Sequence, residues 1–133
     1  SDKSLILDLL TWMHQKKVDY TNTFCHLMDE DMVGNKNYQD REFKNWKKKW
    51  KKRLSIESNN SKKFIKIMKE SNPIVIPRNH KVEEVLKSAN EENLEPLKNF
   101  LEVLDKPYSK HKNILNFQIP LSNSIKYKTF CGT

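Results

Sequence analysis

The residues that could do chemistry are few. His14, Cys25, His26, His80, His111 and Cys131 carry zinc-binding atoms, but no two share the spacing of a zinc finger. The stretch DEDMVGNKNYQD, residues 29–40, sets Asp29, Asp31 and Gly34 at the first, third and sixth places of a calcium loop. The match then breaks down, because Val33 takes a ligand position and Asp40 replaces the bidentate glutamate, so a polar loop is expected. Cys25 and His26 are adjacent, and adjacent helical residues do not face each other, so they make no nucleophile and base pair. Cys25 reads as a small buried apolar residue. With two glycines, Gly34 and Gly132, the chain offers no phosphate-cradling loop. The expectation is therefore no catalytic residue, no cofactor-binding residue and no metal ligand in this chain. Cys131, near the end of the chain where burial is least assured, is a redox candidate if its thiol is exposed, and an apolar anchor of the tail if it is not.

The second feature is charge. The formal net charge of the 133 residues is +8, and residues 41–70 carry twelve basic against three acidic side chains, a net of +9. The excess thus belongs to one helical pair. Lys47, Lys48, Lys51, Lys52 and Arg53 form its densest patch, which could attract an acidic surface or nucleic acid without specificity. Yet Phe43, Trp46, Trp50 and Leu54 stand at i, i+3, i+7 and i+11, a continuous apolar stripe on one helix, with most charges on its other faces. That arrangement favours a solvated helix face, with lysine stems covering the edges of the stripe.

The elements that carry these residues are helices. A chain of this length fits one domain that buries roughly 65–70% of its unfolded surface. Ser4 or Asp2 can cap a first helix with Leu5, Leu9, Trp12 and Met13 on one face, and Asp19 or Thr21 a second with Phe24, Leu27 and Met28, the two forming a hairpin. Beyond the basic helix, Ser58–Ser61 break the pattern before a fourth helix with Phe64, Ile65, Ile67 and Met68. In NPIVIPRNH, residues 72–80, Pro73 and Pro77 stop helix propagation, which predicts an ordered crossing. Asn79 can cap a fifth helix with Val82, Val85, Leu86 and Ala89 inward. Asn93 can cap a sixth whose stripe is Leu94, Leu97, Leu101 and Leu104. The fold class expected is all-α: a bundle of about six helices over 1–107, with a long irregular carboxyl-terminal tail over 108–133 packed on it, in a single domain. The tail's Ile114, Leu115, Phe117, Ile119, Leu121, Ile125, Tyr127 and Phe130 are too many apolar residues for a free terminus. The apolar run Leu5–Leu10 is interrupted by Asp8 and too short for a bilayer, so no membrane is expected. Ser1 in place of Met, opening straight into a helix, reads as a piece of a longer protein, and two distant cysteines suit a reducing cytosol.

Five pieces then fall in a familiar order: KVDYTNTF at 17–24, EFKNWKKKWKKRL at 42–54, NPIVIPRN at 72–79, FLEVLDKPY at 100–108 and KTFCGT at 128–133. Together they resemble the carboxyl-terminal region of the selenoprotein O family. The resemblance implies a kinase-like parent that transfers AMP from ATP to hydroxyl side chains of proteins, with ATP and Mg2+ bound upstream of this chain. It also implies that this chain is a non-catalytic helical region, whose partners are the kinase-like part of the same polypeptide and, through it, protein substrates. The family's tail ends in a cysteine or selenocysteine at the place matched by Cys131. Where the family has CxxC or CxxU, this chain has Lys128 in the first place, so a redox partner for Cys131 would lie elsewhere. A cytoplasmic location follows for a bacterial source and a mitochondrial one for a eukaryotic source. The rival reading is an independent module whose helices over 41–70 bind nucleic acid or an acidic partner, with nucleic acid the less expected.

Overall fold

A computed structural model describes residues 1–112 and 114–122. They form seven α-helices and one 3-10 turn: α1 Asp2–Lys16, α2 Tyr20–Met28, the 3-10 turn Lys36–Gln39, α3 Arg41–Glu57, α4 Ser61–Ser71, α5 Asn79–Asn90, α6 Glu95–Asp105 and α7 Leu115–Gln118. No strand occurs among the described residues, so the fold is all-α as expected. The chain divides into two compact units, Ser1–Asn72 and Pro73–Thr133. The division falls inside the stretch 1–107 that the sequence reading treats as one helical domain, at the proline crossing that ends helical propagation.

Local signals set the starts of α1 and α2. Asp19 caps α2, its carboxylate accepting from the Asn22 amide at 2.9 Å. α1 begins earlier than Ser4 would allow: Ser1 is the cap, its hydroxyl accepting from the Ser4 amide at 3.4 Å. Asp2 then lies in the first turn, where a carboxylate suits the helix dipole. Lys17 closes α1 in the left-handed region, φ 52°, and its amide reaches back to the His14 and Met13 carbonyls. Asn79 and Asn93 sit just off the expected caps: Arg78 precedes α5 and Leu94 precedes α6, while the Asn93 side chain accepts from the Glu95 amide at 3.3 Å.

In the first unit the core is Leu9, Trp12, Met13, Leu27, Tyr38, Phe43 and Trp46. The expected hairpin of α1 and α2 is not the main packing, because α1 lies chiefly along α3. Two tryptophans explain the choice. Trp12 sits 4.6 Å from the Phe43 ring, and the Trp46 indole donates to the Leu5 carbonyl at 2.8 Å, so each large ring is covered and its N–H satisfied only by a partner in the other helix or beside it.

In the second unit α5 packs on α6, with Val85, Phe100 and Val103 buried. The crossing is ordered: Ile74 and Val75 are buried, the Ile74 amide donates to the Pro107 carbonyl at 2.8 Å, and the Gln118 side-chain amide donates to the Ile74 carbonyl at 2.8 Å. The expected stripe of α6 needs correction. Leu94 and Leu101 are exposed, whereas Phe100 and Val103 face inward, each one residue ahead of a leucine and so about 100° round the helix. Phe117 of α7 stacks on Phe100 at 5.3 Å, and that ring pair selects the face. Leu86 of α5 is likewise exposed, not inward. Within the tail, α7 and its neighbours pack in this unit, while Ile125, Tyr127, Phe130 and Cys131 lie outside the described residues.

Candidate functional site

Helix α3 carries the candidate patch, and its stripe is built as its spacing requires. Phe43 and Trp46 are buried, with Trp50 and Leu54 half-buried further along. Trp46 stacks on Phe43 at 6.0 Å and on Trp50 at 5.9 Å, a column of three rings beneath the basic face. The five patch residues then part company. Lys47 is half-buried and forms an ion pair with Glu30, and the Lys47 ammonium holds the Glu30 carboxyl below the usual carboxylate range. Arg53 binds Asp2 through Nε at 2.6 Å and Nη2 at 3.0 Å, and Glu57 through Nη2 at 2.7 Å. Its guanidinium depresses the Asp2 pKa through those bonds. Lys48, Lys51 and Lys52 are exposed and form no ion pair among the described residues. Lys47 and Arg53 thus fasten α3 to neighbouring segments, and only the three exposed lysines are left to meet something else.

Beside the stripe, α2, α3 and α4 leave an open groove of about 500 Å³. Its apolar lining is Leu27, Met28, Trp50, Leu54, Phe64 and Ile65, and Glu30, Lys47, Lys51 and a few Ser and Asn side chains supply the polar part. α4 buries no residue fully: Phe64, Ile65 and Met68 are half-covered and Ile67 is exposed.

A buried polar network under the column is not legible in the sequence. His26 stacks on Tyr38 at 4.1 Å, and its Nδ1 contacts the Val33 carbonyl at 3.0 Å. A carbonyl only accepts, so Nδ1 carries the proton and Nε2 is bare in the neutral ring. Burial pushes the His26 pKa below its ordinary value, against the opposing pull of the Val33 carbonyl, and nearby Lys47 lowers it further. Tyr38 and Thr23 share a hydroxyl contact at 3.2 Å, while Thr23 also donates to the Asp19 carbonyl at 2.7 Å; burial raises the Tyr38 pKa. Asp40, two residues on, accepts from the Trp12 indole at 3.0 Å and from Lys16 at 3.3 Å. The indole bond, aided by Lys16, lowers the Asp40 pKa. The calcium-like stretch is therefore committed to structure: Asp29 accepts from the Asp31 amide, Tyr38 joins the core and Asp40 ties α1 to the start of α3. The signals for this were the apolar Val33 and the aromatic Tyr38 inside a mostly polar loop, and both pack with the core.

Among the described residues no three His, Cys, Asp or Glu side chains gather as they would round an ion. A side chain at Gly34 would meet no protein atom within 4 Å, so no packing contact demands a glycine there. Cys25 is fully buried in α2, and Cys131 lies outside the described residues.

The sequence profile described as protein adenylyltransferase SelO matches residues 1–105. The chain belongs to the SelO family. Among its relatives, the protein nucleotidyltransferase YdiU of Pelagibacter ubique is 44% identical over 133 residues, covering 99% of this chain and 28% of the relative. The YdiU protein of Clostridium botulinum is 42% identical, with 99% and 27% covered, and that of Alcanivorax borkumensis 38% identical, with 99% and 28% covered. The chain thus spans little more than a quarter of the length of these curated relatives, in their carboxyl-terminal part. No solved structure matches it. No helix among the described residues is long and apolar enough to cross a membrane.

Proposed function

We propose that this chain is the carboxyl-terminal helical region of a SelO-type protein adenylyltransferase and supports AMP transfer from ATP to protein hydroxyls without performing it. The observation that carries the reading is the match itself: nearly all of the chain aligns with 27–28% of proteins named nucleotidyltransferases. The described residues supply neither a phosphate loop nor a ligand cluster. In this reading ATP and Mg2+ are held by a kinase-like part upstream, which is also this region's partner and the part that meets protein substrates. Phosphoryl-type transfers depend on positioned phosphate and metal contacts, and a helical region without them contributes by bracing the part that has them. Cytoplasm in a bacterium, or the mitochondrion in a eukaryote, is the location that goes with this reading.

Cys131 is the redox group of the same proposal. Its thiol and a cysteine elsewhere in the parent would lose two electrons and two protons to a disulfide oxidant, joining the tail to the catalytic part. The test is AMP transfer from labelled ATP by the parent protein, intact and lacking residues 1–133, together with alkylation of Cys131 before and after oxidation. The reading expects transfer by the intact parent, none by this chain alone, and loss of Cys131 alkylation on oxidation. Transfer by this chain alone overturns the first claim, and equal alkylation in both states overturns the second.

The basic face gives little support to an independent nucleic-acid module, since two of its five cations are engaged within the chain.

A further inference from the structure

The groove between α2, α3 and α4 is a built surface without a complete cover. Its walls include large apolar side chains, Trp50, Leu54, Phe64 and Ile65, that are only partly buried, and α4, which packs chiefly on α2 and α3, buries no residue fully. Apolar grooves rimmed by polar side chains are a common form of docking surface. Lys51 stands on the groove's edge, exposed and without an ion pair among the described residues, on a helical pair whose net charge is +9 over residues 41–70.

Charge and chain length say what fits. The best match carries carboxylates as well as apolar anchors, because Lys51 remains exposed on the groove, whereas Glu30 beside it is already held by Lys47. Residues 123–133 contain no Asp or Glu, so this chain's own terminus does not match. Relatives extend over more than three times this chain's length, so most of a SelO-type polypeptide lies outside it. We propose that the α2–α3–α4 groove docks an acidic, apolar-anchored segment of the upstream part of the same polypeptide, with Lys51 pairing to one of its carboxylates and Trp50, Leu54 and Phe64 receiving its apolar side chains. The inference rests on the reading of this chain as one region of a larger adenylyltransferase, and it identifies the surface through which the two parts meet. Such a contact would combine a desolvated apolar centre with a charged rim that fixes register, the common anatomy of specific interfaces.

Carbodiimide coupling of the full-length protein, which joins an amine directly to a carboxylate in contact with it, tests this by peptide mass spectrometry. The expected product links Lys51 to an Asp or Glu upstream of this chain, within a stretch that has at least two apolar residues in the neighbouring turn. Lys49, exposed on another face of α3, is expected to give at least tenfold less upstream product. Lys51→Glu should abolish the product, and replacing the identified upstream carboxylate by Lys in that variant should restore a link of reversed polarity. Coupling of Lys51 only to carboxylates within residues 1–133, to a second copy or to a separate protein would overturn the proposal. So would protection of Lys51 that appears only on adding single-stranded nucleic acid. AMP transfer by the same preparation separates the two claims: transfer without upstream coupling removes the groove alone, and upstream coupling without transfer or ATP binding removes the adenylyltransferase reading alone.

Discussion

Helices α3 and α4 have the same kind of sequence, an apolar stripe set among lysines, and end in different environments. The amino-terminal half of α3 loses Phe43 and Trp46 to the core, at 1% and 8% exposure, while α4 buries nothing fully. Propensity and periodicity do not separate them; their neighbours do. The α3 stripe meets α1, the 3-10 turn and the His26–Tyr38 stack, so its rings are covered on several sides. The α4 stripe packs chiefly on α2 and α3, and Met68 alone of its residues reaches the edge of the core cluster. An amphipathic pattern shows that a face wants cover, and packing alone shows whether the chain itself provides it.

The comparison breaks first at the tryptophan column. Trp46→Ala should destabilise the chain by about 3–5 kcal/mol in chemical denaturation, because it removes a buried ring, opens a cavity and loses the indole bond to the Leu5 carbonyl. Phe64→Ala, in a half-covered ring on the groove wall, should cost about 1–2 kcal/mol. Equal losses at the two positions would contradict the contrast between the helices.

A third, smaller effect belongs to pH. The folded His26 pKa lies below its ordinary 6.5, so the unfolded chain takes up the proton first as pH falls. Stability from the neutral ring should therefore be full above about pH 6.5 and decline as pH drops below it. His26→Gln should flatten that part of the stability profile between pH 7 and pH 5, leaving the losses from Glu30, Asp2 and Asp40, whose lowered pKa values place them further into acid. A profile unchanged by the substitution would remove His26 from the account. The smallest effect is expected at Arg53. Its pairs with Asp2 and Glu57 are solvent-exposed, so Arg53→Met should lower the melting temperature only slightly, and the difference should vanish near 0.5 M salt.

Much of this was legible in the sequence, and the rest failed for identifiable reasons. The α3 stripe, the Asp19 cap, the proline crossing and the helical class follow from local spacing and cap chemistry, which act over a few residues. The α6 face was misread because leucine spacing alone chose Leu94 and Leu101, whereas the ring of Phe117, sixteen residues beyond Leu101, selected Phe100. The α1–α2 hairpin was misread because short connections suggest neighbours, and two distant indoles decided otherwise. The patch illustrates the same limit. Its five cations are one cluster in sequence, yet Glu30 and Asp2, far away along the chain, claim two of them. The family was legible from ordered pieces; the groove, which needs three helices to exist, was not.

The central proposal is that this chain braces an adenylyltransferase and holds no nucleotide itself. Calorimetric titration of ATP with Mg2+ into the folded 133-residue chain, with its helicity checked by circular dichroism, tests it most directly. The account predicts no saturable heat from the chain and a saturable, Mg2+-dependent signal from the full-length protein under the same conditions. Saturable Mg2+-dependent binding of ATP to the chain alone would contradict it.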